Sequence, residues 1–287
     1  MPIYTSTSCL ANGSNVFDVL ELYNRAGLRN VELGASHKYI DSLSPAKFKQ
    51  YDFVFITHHY FPPPKEPFIV NLASQDSMIL KRSKEQINRS IKFCHDLAIK
   101  LFTFHAGFRV DPDNKLQFPR AQPVTPYETA FDTFVESVDE INSYAQQMAV
   151  RIAIENNVLS DYNVIDGQNP FLLLCEAEEF ERLWQKIPSA NVGILLDLGH
   201  LKVTSHWLGF DKYKFIDRVK DRVFAIHIHE NNEQIDEHRA LDETSWCFEI
   251  IGKECFANFP IVLESTKLTI DQIVQQASLI EDIIEKG

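Results

Sequence analysis

Histidine, aspartate and glutamate recur in this sequence just where short apolar runs end. Thr57-His58-His59, Phe104-His105-Ala106-Gly107 and Ile154-Glu155-Asn156-Asn157 are three such places. Leu196-Asp197-Leu198-Gly199-His200, His227-Ile228-His229-Glu230-Asn231 and Leu263-Glu264-Ser265-Thr266 are three more, and Asp236-Glu237-His238 follows shortly after the His-Ile-His run. Any one of these residues, taken singly, is more often structural than chemical. Together they pose an electrostatic problem. Glu155, Asp197 and Glu264 brought to one poorly solvated place repel one another, and burying them without cations is prohibitive. The runs carry no lysine or arginine at those positions, so a divalent metal is the expected compensation. Mixed imidazole and carboxylate donors suit Zn, Mn, Fe or Co better than Mg or Ca, with Zn or Mn expected and one to three ions accommodated. No cysteine joins the set, which argues against a cysteine-type structural zinc site.

Bringing these residues together requires a fold that converges strand ends. Eight β-rich runs are legible: Ile3–Thr7, Val31–Leu33, Phe53–Thr57, Leu101–Phe104, Arg151–Ile154, Val192–Leu196, Val223–Ile228 and Ile261–Leu263. Amphipathic stretches of helical period lie between them, such as Phe131, Phe134, Val135, Val138 and Ile141. Thr125-Pro126-Tyr127-Glu128 and Thr269-Ile270-Asp271-Gln272 read as capping boxes that start helices. Strand–helix alternation through eight units, with no dinucleotide fingerprint, predicts a single (β/α)₈ barrel over residues 1–287; an open doubly wound sheet is the other solution. In such a barrel the active site forms at the C-terminal ends of the strands, where the metal-ligand types lie. Seven of the ten histidines fall on that rim; His37, His95 and His206 do not. Two proline-bearing loops, Tyr60–Pro67 and Arg109–Pro123, leave strands at the same end and are expected to cover the mouth.

Composition narrows the partners. The 287-residue chain is 45% hydrophobic with a formal net charge of -12, enough for a large core and repulsive to polyphosphate at long range. Nucleic acid is therefore disfavoured as a partner, and a small molecule is expected. The five cysteines form no CxxC pair and are expected to be reduced thiols. No signal-peptide pattern and no apolar run of membrane-spanning length is seen, so a cytoplasmic protein without membrane partners is expected. Homo-oligomerisation is left open.

The ordered strand ends IEN, DLGH, HIHEN and LEST resemble those of the xylose-isomerase-like TIM-barrel superfamily, which includes ketose 3-epimerases and endonuclease IV. Resemblance to the epimerases implies one metal held by Glu155, Asp197, a seventh-strand histidine and Glu264. His227 is preferred over His229, although both have the same facing. His200 would then touch substrate. Resemblance to endonuclease IV implies more: His58 (or His59) and His105 joining Glu155 on a second metal, and His200, Asp236 and His238 forming a third site. The stretch Ile69-Val70-Asn71-Leu72-Ala73-Ser74 also resembles the nuclease. The basic Gly-Ser-Arg element before its DxH motif is missing here, and the proline-rich insertion lies where a DNA-contacting loop would be.

On charge and the absent basic element, the leading expectation is a metal-dependent isomerase or epimerase of a sugar or sugar phosphate. Its chemistry would be proton transfer through a metal-stabilised enediolate, with Glu155 and Glu264 as base and acid. The alternative is an endonuclease IV-like phosphodiesterase acting on abasic DNA or a small phosphodiester, and a barrel that binds ligand without turnover is a third. His59, Asp161, Arg109, Lys202, Arg239 and Lys267 are candidate substrate contacts.

Overall fold

The computed structural model describes residues 2–10, 14–113, 115–119 and 123–286. Eight parallel strands close on themselves in chain order: β1 Ile3–Ser6, β2 Asn30–Leu33, β3 Val54–His58, β4 Leu101–His105, β5 Arg151–Glu155, β6 Val192–Asp197, β7 Val223–Ile228 and β8 Ile261–Leu263. The helices are α1 Val16–Arg25, α2 Ser77–Asp96, α3 Tyr127–Gln147, α4 Ala177–Lys186, α5 Leu198–Leu208, α6 Lys212–Val219, α7 Phe248–Ile251 and α8 Ile270–Lys286. The expected (β/α)₈ barrel is present. Two units depart from the regular pattern: β2 and β3 are joined by a 3-10 helix, Pro45–Gln50, instead of an α-helix, and β6 and β7 by two helices, α5 and α6.

Side chains alternate across a strand with period two, and this rule builds the site. Tyr4, Ile56, Leu101, Ala153, Leu195 and Val262 pack as one apolar cluster. Two residues further on, the same inward face of each strand carries Ser6, His58, Thr103, Glu155, Asp197 and Glu264, so a dry plug supports a polar layer directly above it. Between β6 and β7 the register slips, from Ile194 opposite Val223 to Leu195 opposite Ala225. The slip places Asp197 opposite His227; without it Asp197 would face Ile226. Bulges of this kind re-aim side chains next to active sites.

Helix starts are set by local chemistry, with one correction. Thr269 and Gln272 do form the expected reciprocal box, at 2.8 and 3.3 Å. The Thr125 box does not form: Pro126 takes the N-cap position of α3 with no side-chain cap. A box the sequence reading missed caps α4, between Glu176 and Glu179. All five cysteines are free thiols, and no described helix is long and apolar enough to cross a membrane.

The two loops behave differently. Leu116 and Phe118 of the second line the cavity above the strand ends, with Phe118 stacked on Phe171 at 5.0 Å; residues 114 and 120–122 of this loop lie outside the described set. The first loop covers the mouth only at its root. Tyr60 lines the cavity, but the prolines that follow are not among its described lining residues, and the loop runs against α2 instead. There Gln86 Nε2 donates to the Pro62 carbonyl at 3.0 Å and Arg82 to the Glu66 carbonyl at 2.8 Å.

Candidate metal centre

Glu155, at the end of β5, is fully buried, and its two oxygens face different neighbours. Oε2 lies 2.7 Å from His105 Nδ1 and 3.6 Å from His58 Nε2. Oε1 lies 3.4 Å from His227 Nδ1 and 3.5 Å from His200 Nδ1. Neither oxygen has a hydrogen bond of acceptable geometry. Four donor groups result, each with ligand atoms within 4.8 Å of one another: His58–His105–Glu155, Glu155–Asp197–His227–Glu264, His200–His229–Asp236–His238 and Glu32–His58–His227. The first two share Glu155.

Most of these imidazoles are oriented by an acceptor on the far side from the group. His58 Nδ1 meets Thr103 Oγ1 at 2.8 Å, His200 Nδ1 meets the Asn156 carbonyl at 3.0 Å, and His238 Nδ1 meets the Glu264 carbonyl at 3.1 Å. A neutral imidazole has one donor and one acceptor nitrogen, so with Nδ1 donating, Nε2 is the nitrogen available to a cation; in this structure His238 Nε2 meets Asp236 Oδ2 at 3.0 Å. Asp197 divides its carboxylate. Oδ1 caps α5 by accepting from the His200 amide at 2.7 Å, while Oδ2 is buried without a partner. The Asn156 side chain clamps the Asp197 backbone through both its N–H (2.9 Å) and its carbonyl (3.0 Å).

The electrostatics agree with a centre short of positive charge. Burial alone would raise the Glu155 pKa, yet the imidazoles of His105, His58 and His200 hold it well below the usual carboxylate range. His200 and His227 go the other way: burial is outweighed by Asp197 and Asp236 for the first and by Glu264 and Glu32 for the second, and both are raised. His238 is pushed up to about 9, chiefly by Asp236 against burial. Carboxylates and imidazoles thus stand in for one another's missing partner. Buried atoms without partners converge here: both Glu155 oxygens, Asp197 Oδ2, Asp236 Oδ1, His227 Nδ1 and both nitrogens of His229. Native interiors seldom leave such groups orphaned. A set of N and O donors aimed inward, with their far sides satisfied, fits divalent cations.

The structure separates residues the sequence left tied. His58 continues β3 inward, whereas His59 turns out of the strand with φ 47° and lines the cavity, its pKa pushed well down by burial. His227 joins Glu155, Asp197 and Glu264; His229 joins the Asp236 group and stacks on His238 at 3.8 Å. Gly199 makes room for that stack, because a Cβ there would run into the His229 ring. Gly199→Ala is expected to cost about 1–3 kcal/mol through overpacking and to lower zinc content by one equivalent; thermal melts and elemental analysis check this.

Of the six candidate substrate contacts, only His59 reaches the cavity. The Lys202 ammonium is engaged by Glu230 at 2.6 Å and the Asn231 carbonyl at 3.0 Å. Arg109 donates to the Thr125 carbonyl at 3.1 Å, and Arg239 pairs with Glu237 at 3.2 Å. Asp161 and Lys267 are exposed outside the cavity lining. Those five are not brought to the centre. The cavity itself is about 420 Å³, and no lysine or arginine is among its described lining residues. One wall is donors; the other is apolar, formed by Tyr60, Ile69, Phe108, Leu116, Phe118 and Leu172. The sequence reading also missed Tyr162, which lines the mouth, and Glu32, fully buried on β2.

The family model described as xylose isomerase-like TIM barrel matches residues 20–280. The chain belongs to that family. An uncharacterised protein of Methanocaldococcus jannaschii is 25% identical over 287 residues, covering 99% of this chain and 95% of its own. A "Probable endonuclease 4" of Persephonella marina is 23% identical over 215 residues, 70% of this chain and 68% of its own. Among solved structures, a D-tagatose 3-epimerase-like protein superposes with a TM-score of 0.77 at 18% identity, covering 100% of this chain and 98% of that one. At that identity the likeness speaks for the fold. The family and the fold follow from these likenesses; the reaction has to be argued from the donor set.

Proposed function

We propose that this family member is a multinuclear metal-dependent hydrolase of small phosphoesters. The observation that carries this reading is the sharing of Glu155 between two donor groups, with a third group alongside. A single cation takes four to six donors, fewer than the eleven residues gathered here. A phosphoryl group also needs positive charge, and with no described lysine or arginine on the cavity wall, bound cations would supply it beside the histidines. Divalent cations in these groups would polarise the P–O bond, lower the pKa of water and neutralise the leaving oxygen. The chain's own residues orient the rest. Glu155 spans two groups, Asp197 is fixed by its capping bond, and neutral His59 offers a hydrogen bond at the mouth. Tyr60, Phe108 and Phe118 keep water from the organic part of the ester. A net charge of -12 and a 420 Å³ cavity favour a small ester over a polymer.

A second reading has an observation of its own. Glu264 Oε2 and Glu155 Oε1 both approach His227 Nδ1, at 2.9 and 3.4 Å, the arrangement a sugar isomerase or epimerase would use as acid and base around one cation. The sequence alone puts this reading first, on charge and the missing basic element; the number and sharing of donor groups reverse the order.

One experiment separates them. Zinc- or manganese-loaded protein is given bis-(p-nitrophenyl) phosphate, small phosphomonoesters and an abasic-site duplex. In parallel, ketoses and ketose phosphates are incubated with it in D₂O. Metal-dependent cleavage of the small esters without deuterium uptake is expected. Deuterium at the carbon beside the carbonyl, with no ester cleaved, would move the site to the isomerase class. Cleavage confined to the duplex would overturn the small-ester assignment.

A further inference from the structure

We infer that Glu32 is a positioning residue of this centre, holding His227 so that Nδ1 faces the carboxylate donors. The inference rests on the mouth being a metal centre, but not on which reaction it runs. Glu32 lies on β2 with no solvent exposure, and its Oε2 is 2.8 Å from Nε2 of His227, itself fully buried. On the other side of the ring, Nδ1 is 2.9 Å from Glu264, 3.4 Å from Glu155 and 3.7 Å from Asp197. A carboxylate only accepts, so the Nε2 facing Glu32 keeps its hydrogen, and Nδ1, on the side of Glu264, Glu155 and Asp197, is the nitrogen left to ligate a cation bound among them.

His58, His200 and His238 are oriented by a hydroxyl or a backbone carbonyl, all neutral. His227 is the one ring, among those described, backed by a carboxylate on its far side. A neutral glutamine at position 32 would make a similar hydrogen bond without burying a charge, and an unpaired buried carboxylate is costly. Glu32 Oε1 has no partner at all. The charge is therefore what sets this residue apart. A carboxylate behind a ligating imidazole fixes its tautomer and raises its basicity as a donor. Glu32 also lies with His58 and His227 in a group whose ligand atoms are within 4.8 Å of one another; its 2.8 Å contact to Nε2 puts it on the other side of the His227 ring from Glu264, Glu155 and Asp197, which face Nδ1.

The test uses the full-length chain, stripped of metal and titrated with zinc against a chromophoric chelator. Glu32→Ala is expected to weaken zinc binding about 10- to 100-fold, and Glu32→Gln to lose less, since it keeps the hydrogen bond but not the charge. In ¹⁵N spectra of histidine-labelled, zinc-loaded wild type, His227 should show a protonated Nε2 and a zinc-bound Nδ1. A merely structural role would lower the melting temperature of the variants without this graded loss of affinity. Undiminished zinc affinity in Glu32→Ala overturns the inference, as does zinc on Nε2 of His227 in wild type. If Glu32→Ala fails to fold, Glu32→Gln binding zinc as tightly as wild type overturns the role given to the charge. A wild-type chain that binds no zinc overturns this inference and the metal centre together; phosphoester inactivity with a graded zinc response overturns only the proposed reaction.

Discussion

Glu155→Ala is expected to cost the centre more than one equivalent of metal, where Asp197→Ala or His238→Ala costs one. The reason is geometric. Glu155 offers Oε2 to His58 and His105 and Oε1 to the side of His227, so one side chain serves two donor groups. Asp197 serves one of those groups, and His238 the third. Removing Glu155 leaves two imidazoles in the first group, below the three protein ligands of a typical catalytic zinc site. Loss of a cation that polarises the substrate removes several kcal/mol of transition-state stabilisation, so turnover should fall on the order of 10³-fold. Glu155→Gln should fall nearly as far, because it keeps the shape but loses the negative charge. Elemental analysis of protein purified without chelator, beside a circular dichroism spectrum that certifies the fold, reads the result. Full metal content in Glu155→Ala would mean that the two groups do not share a ligand, and the multinuclear reading would fall with it.

Much of this centre was legible because a parallel barrel puts strand ends in one place. Glu155, Asp197, His58 and His105 were read as sitting just past their strands; each is instead the last strand residue. Those four expected strands stop just before the ionisable side chain, but ladder hydrogen bonds belong to the backbone and continue beneath a polar one. Glu32 was missed for a related reason. In Asn30-Val31-Glu32-Leu33 a lone acid looks like the solvent side of an alternating strand. All-parallel strands have both faces covered, so the acid inside that run was itself the signal. The pair His58 and His59 was resolved only by the backbone, which leaves the strand at His59. His227 and His229 share a facing, and both point inward; which group each joins depends on the neighbours of β7 and on the loop carrying Asp236. The cationic candidates fared worst. Lys202 looks available in sequence because Glu230, which engages it, lies 28 positions away, whereas Arg239 pairs with Glu237 only two positions earlier, a partner already visible in the sequence.

Zinc-loaded and metal-free protein should differ in melting temperature by an amount that grows as pH rises from about 6.5 to 9. At a free zinc concentration 1,000 times the dissociation constant, one site adds about 4 kcal/mol, which for a domain of this size is roughly 7 °C. The pH dependence follows from the imidazoles. In the metal-free chain His200 and His227 are raised by their carboxylate neighbours, and His238 is raised to about 9. A histidine whose folded pKa exceeds its unfolded value of about 6.5 contributes stability that is fully present below 6.5. That contribution is lost as pH climbs through the folded pKa. Metal-free protein therefore loses this stabilisation between about 6.5 and 9. Zinc binding runs the opposite way: cations need deprotonated imidazoles, so affinity increases as those protons leave. The two trends diverge, and the gap between the melting curves widens across the window. Calorimetric titration in buffers of different ionisation enthalpy should show protons released on zinc binding at neutral pH. A melting gap that stays constant from pH 6.5 to 9, with no proton release, would mean that zinc does not bind through these histidines.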